Sequence, residues 1–63
     1  MTSRDEIMQA ICEEMHVTDW EMAQEIWGRM SMKDLQAEMK AAYPGEPARA
    51  ADMARVIYNE MRR

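Results

Sequence analysis

Thr18-Asp19-Trp20-Glu21-Met22-Ala23-Gln24-Glu25-Ile26-Trp27-Gly28 is the stretch on which the fold turns. Thr18 with Glu21 three residues later has the form of a capping box, which predicts a helix beginning here. Trp20, Ala23, Ile26, Trp27 and, just beyond, Met30 recur at helical spacing and make one apolar stripe, while Glu21, Gln24 and Glu25 fall on the other side. Gly28 is the expected terminator or weak point, since glycine costs about 1 kcal/mol against alanine inside a helix.

The same grammar extends in both directions. Towards the N-terminus, Ser3 with Glu6 reads as a first capping box, and Ile7, Met8, Ile11, Cys12 and Met15 share an arc of about 140° opposite Glu6, Gln9 and Glu13. Val17 closes that segment. Towards the C-terminus, Ser31 with Asp34 opens a third helix whose apolar edge is Met32, Leu35, Met39, Ala42 and Tyr43, with Lys33, Asp34 and Lys40 facing water. Tyr43-Pro44-Gly45-Glu46-Pro47 is the clear break. Pro44 disfavours helix at Tyr43, and Pro47 suits the first turn of a new helix, where its missing N–H has no intrahelical partner. Ala50, Met53, Ala54, Ile57, Tyr58 and Met61 then form a last stripe, with Arg49, Asp52, Arg55, Asn59 and Arg62 outside it. Its alanines allow close approach to a neighbour. No strand alternation occurs anywhere. The expected fold is all-α, a compact bundle of four short helices forming one small domain over residues 1–63. The expected core draws on Ile7, Ile11, Met15, Ala23, Ile26, Trp27, Leu35, Met39, Met53, Ile57 and Met61.

At 63 residues, a chain buries only about 60% of its unfolded surface, so its core must be used efficiently. Hydrophobic residues make up 48% of the chain, with only two glycines and two prolines, which is a folding composition. The single cysteine, Cys12, excludes an internal disulfide framework. With no signal pattern and no apolar run of about 20 residues, the expected setting is soluble and cytoplasmic, away from the membrane.

Charge is the most distinctive feature. Asp5, Glu6, Glu13, Glu14, Asp19, Glu21 and Glu25 follow one another without an intervening Lys or Arg. Residues 1–45 hold nine acids against four bases, and residues 46–63 three against four, so the net charge of −4 is a polarity. A surface built only for helix stability would gain from Glu–Lys pairs four residues apart, and none precedes Arg29. An anionic face repels nucleic acid and attracts basic surfaces. The segment Cys12–Thr18 loosely matches the turn of a helix-turn-helix, but Glu25 stands where an apolar residue is wanted. The would-be recognition helix also carries Asp19, Glu21 and Glu25, which oppose phosphates. The arginines of the last helix are diluted by Asp52 and Glu60 and lack an interleaved stacking pattern; Arg62 and Arg63 read as complements to that helix's own dipole.

Cys12 and His16 are four residues apart, a ligand-competent spacing, yet a structural zinc needs four ligands and the chain has no second Cys or His. No metal and no cofactor are expected, and no third group orients a Cys–His nucleophile. Trp20 and Trp27 lie about 20° apart around their helix. Trp27 is expected in the core, whereas Trp20, beside Asp19 and Glu21, has the setting of a partly exposed interface anchor. Met1, Met8, Met15 and Met22 keep a seven-residue interval, but a heptad seam would require helix through His16-Val17-Thr18, where the capping signal ends it.

Enzymes this small are uncommon, because a preorganised site needs scaffold around it. The expectation is therefore a non-catalytic acidic protein-binding module. It would dock on a basic, nucleic-acid-binding surface of a partner protein, with Glu13, Glu14, Asp19, Glu21 and Glu25 steering and Trp20 as anchor. Small phage and mobile-element inhibitors of nucleases or CRISPR effectors share this size and charge, an analogy of composition only. The alternative is a structural small subunit or homodimer whose acidic face is merely solvated.

Overall fold

Capping chemistry and turn residues divide the chain into four helices. In the computed structural model, which describes residues 3–62 and the side chains of residues 5–62, these are α1 (Ser3–Glu14), α2 (Trp20–Gly28), α3 (Met32–Ala42) and α4 (Pro47–Met61). No strand occurs among the described residues. The readings placed on Met1, the Ser3 cap and Arg63 lie outside them.

The helix starts follow the chemistry with one shift. Asp19, not Thr18, caps α2, its carboxylate accepting from the Met22 N–H at 3.0 Å. A carboxylate there satisfies an orphan donor and also faces the positive end of the helix dipole, which a threonine hydroxyl does only in part. Ser31 caps α3 as expected, accepting from the Asp34 N–H at 3.1 Å. Pro47 opens α4, where no side chain makes a cap hydrogen bond. The Tyr43–Glu46 turn is closed by the Glu46 N–H donating to the Tyr43 carbonyl at 3.2 Å, with Gly45 at φ 80. Pro followed by a left-handed residue is the type II pattern, which calls for glycine at that place.

The end of α1 uses a residue less suited to its backbone. The Val17 N–H reaches the Cys12 carbonyl at 2.8 Å and the His16 N–H reaches the Glu13 carbonyl at 3.2 Å, the two bonds of a Schellman cap. His16 therefore sits in the left-handed region at φ 60. Such a conformation costs a side-chain-bearing residue about 1–2 kcal/mol, partly offset when glycine is substituted by glycine's greater unfolded-state entropy. His16→Gly is expected to stabilise the protein by about 0.5–1 kcal/mol and raise the melting temperature by a few degrees. His16→Ala keeps the strain and is expected to give no gain, so circular-dichroism melts of the two variants check the account.

The core gathers Met8, Ile11 and Cys12 from α1, Ala23 and Trp27 from α2, Leu35, Met39 and Tyr43 from the α3 segment, and Ala50, Ala54 and Ile57 from α4. Helices α3 and α4 form the most extensive contact, and α1 and α2 both lean on α4 as well as on each other. Ala50 and Ala54, almost fully buried, let α4 lie close against the larger side chains. Of the expected core, Ile7, Met15, Met53 and Met61 pack only at its margin. Ile26 is the clear departure, 47% exposed. The inward face of α2 is centred on Ala23 and Trp27, so Ile26 falls at its edge together with Met22. On α1 the inward axis is likewise turned towards Met8 and Cys12.

Arg62 fastens the end of α4 to the end of α2. Its guanidinium donates to the Gly28 carbonyl at 2.9 Å and the Met30 carbonyl at 3.1 Å, and lies 4.8 Å from the centroid of the Tyr58 ring. Arg62, expected at the C-terminus of its own helix, thus also satisfies the Gly28 carbonyl at the end of α2 and the Met30 carbonyl just beyond it.

Candidate functional site

The acidic residues of α1 and α2 are exposed, but they are not equivalent. Glu13 and Glu14 stand at the end of α1, Asp19 at the start of α2, and Glu21 and Glu25 along it. Glu14 is ion-paired with Arg49 of α4, which also approaches Glu46 at 3.7 Å and lies over the Tyr43 ring. Glu25 pairs with Arg29 one turn on, at 2.9 Å, and Asp19 is engaged as the α2 cap. Glu13 and Glu21 have no ion-pair partner among the described residues. The arginines of α4 are committed as well: Arg49 to Glu14, Arg55 to Asp52, Arg62 to the α2 carbonyls. Glu6 on α1 and Asp34 and Glu38 on α3 are likewise exposed and outside every ion pair among the described residues, so the excess of negative charge on the first half of the chain faces solvent along α1, α2 and α3.

Trp20 is partly buried and packed against the core, while Trp27 is 6% exposed. A depression of about 440 Å³ is lined by Trp20 with Gln9, Cys12, Glu13, His16, Val17 and Thr18. Cys12 itself is 2% exposed, and burial pushes its thiol pKa up. A thiol so buried lacks the exposed, electropositive setting that activates a nucleophilic cysteine. No cluster of three or more His, Cys, Asp or Glu side chains suited to a metal occurs among the described residues. No helix among them is long and apolar enough to cross a membrane.

A second feature, of similar volume, lies between α2 and α3. Both helices lean on α4 without packing closely on each other, and the space between them is an open groove of about 460 Å³. Its floor includes Ala23, Trp27 and Met39, its walls Met22 and Ile26 on one side and Ala41 and Ala42 on the other, and Met15 and Val17 line it from the α1 turn. Among the described residues, the charged ones lining it are Asp19 and Glu38, one from each side. Met22 at 52% and Ile26 at 47% are the most exposed large apolar side chains of the described residues. None of Met22, Ile26 and Glu38 was expected as a site residue: Ile26 reads as core by period alone, and Glu38 lies outside the acidic run. The signal that was available is the Met22–Ile26 pair, four residues apart, which widens the apolar stripe of α2 beyond what one neighbouring helix covers.

Tyr43 is buried with its hydroxyl unpaired among the described residues, and burial together with the Glu46 carboxylate holds its pKa above the usual phenol value. An unpaired buried hydroxyl costs about 1–3 kcal/mol. Ring burial and the Arg49 guanidinium, 4.8 Å from the ring centroid, offset it.

Compared with protein families, with curated proteins and with solved structures, the chain shows no match.

Proposed function

We propose that this protein is a non-catalytic docking module that binds a basic surface of a partner protein, blocking or recruiting it. The observation that carries the reading is the exposed pair Glu13 and Glu21, unpaired among the described residues on the two helices that bear the acidic run, with half-buried Trp20 between them in sequence. Exposed carboxylates of one sign accelerate encounter with a cationic partner and select against anionic ones. The partly covered Trp20 supplies an apolar anchor of the kind found at interface hot spots. A partner surface that ordinarily holds nucleic-acid phosphates has the matching charge, which makes inhibition of a nucleic-acid-binding protein the most economical version of the proposal.

Glu14 and Glu25 are poor positions at which to test it, because reversing either sets a lysine against an arginine already in place. Glu13→Lys combined with Glu21→Lys leaves the internal pairs intact. Affinity capture from a nuclease-treated bacterial lysate, washed at low and at high salt, is expected to retain a basic protein with the wild-type chain and to lose it with the double variant, at unchanged helicity. Equal capture by both chains contradicts the reading. The second reading, a structural subunit or homodimer with a solvated acidic face, draws on the internal use of Glu14 and Glu25 and on exposed Met22 and Ile26.

A further inference from the structure

We infer that the α2–α3 groove is a second contact surface of the docking interaction, beside the one that carries Glu13, Trp20 and Glu21, and that its occupant is an amphipathic helix of the partner, apolar on one side and flanked by Lys or Arg. The inference rests on the docking reading above and adds to it a groove and a partner chemistry.

Three observations lead there. The groove is lined mainly by apolar side chains, and Met22 and Ile26 stand about half exposed at its edge. Adaptable side chains such as Met15, Met22 and Met39 suit a surface that must mould itself to a helix face. Both charged lining residues, Asp19 and Glu38, are acidic, and Asp34 lies one turn before Glu38 on α3. Finally, the groove offers no sheet edge. An extended segment lying on it would place its N–H and C=O groups against apolar side chains without partners, whereas a helix satisfies its own backbone.

Charge argues against a second copy of this chain as the occupant. Two such grooves brought together would oppose Asp19 and Glu38 to their own equivalents. Helix α4, the chain's most arginine-rich element, has Arg49, Arg55 and Arg62 already engaged. The complementary cations come most readily from another protein.

The test uses the full chain labelled at the methionine methyl groups, titrated with two synthetic peptides. One is a leucine–lysine peptide of about four turns with leucines at i, i+3, i+4 and i+7; the other is an oligolysine of equal charge. The leucine–lysine peptide is expected to shift the Met22 and Met15 methyl signals while leaving Met8, which is fully buried, unmoved. Met22→Gln with Ile26→Gln, both at exposed positions, should weaken it about tenfold or more and leave oligolysine binding unchanged. If both peptides bind equally and move neither Met22 nor Met15, the groove assignment fails while the docking reading survives. If neither binds, both fail. Met22 shifts that grow with protein concentration alone would identify a second copy as the occupant and overturn the inference.

Discussion

Leu35→Ala is expected to remove most of the stability of this protein. Leu35 is fully buried on α3, within the most extensive helix–helix contact of the bundle. Truncating such a leucine costs about 3–5 kcal/mol, the lost transfer energy plus the cavity left behind. A chain of this length has about 3–9 kcal/mol to lose, at the usual stability per residue. Circular dichroism should therefore show a variant largely unfolded near physiological temperature, or one whose melting midpoint falls by well over ten degrees. Ile26→Ala provides the contrast. By helical period alone the two positions look alike, but Ile26 is 47% exposed, so its truncation is expected to cost well under about 1 kcal/mol. Similar losses at the two positions would contradict the assignment of the inward face of α2.

Ala54→Leu tests the opposite kind of error. Ala54 is fully buried on α4, and Ala50 one turn before it is 2% exposed. These two positions let α4 settle closely among the larger core side chains, including Leu35, Met39 and Tyr43. Three added carbon atoms at this fully buried position must displace neighbouring side chains, and overpacking of this sort costs about 1–3 kcal/mol through displaced rotamers and backbone. Because α3, α2 and α1 all pack on α4, the strain is expected to spread and to broaden the thermal transition as well as lower it. Ala51→Leu, at an exposed position of the same helix, should be close to neutral. If Ala54→Leu were stabilising, α4 would not lie as near its neighbours as its alanines indicate.

Much of the architecture was legible from local chemistry. Ser31 caps α3, Pro47 opens α4 and Tyr43-Pro44-Gly45-Glu46 turns the chain, because each depends on hydrogen bonds or dihedral limits within a few residues. The break at His16 also followed, and with it the dismissal of a heptad through Met8, Met15 and Met22. The one-residue shift from Thr18 to Asp19 at the α2 cap shows the resolution of such signals: two adjacent cap-competent residues differ only in how well each complements the helix dipole. What resisted prediction was the rotation of each helix about its axis. The stripes on α1 and α2 are each wider than the contact that covers them, so period alone does not say whether Met8 or Ile7, Ala23 or Ile26, lies deepest. That rotation is set by which neighbours are present, and it moves Ile26 from core to groove edge. The acidic residues were correctly placed on exposed surface. Their pairing was not visible, since Glu14–Arg49 joins α1 to α4 across the tertiary structure. Glu38 was missed because its relevance arises only when α3 is set beside α2.

The proposed docking function requires that the acidic surface and the apolar groove be open to another protein and not sealed by a second copy of the chain. Sedimentation equilibrium from about 10 µM to about 500 µM, at low and high salt, tests this most directly, because self-association is concentration-dependent by mass action. The account predicts a single species at the chain mass of 7.4 kDa throughout. A mass of twice that value at the upper concentrations, lost on Met22→Gln with Ile26→Gln, would contradict it and identify the protein as a homodimer.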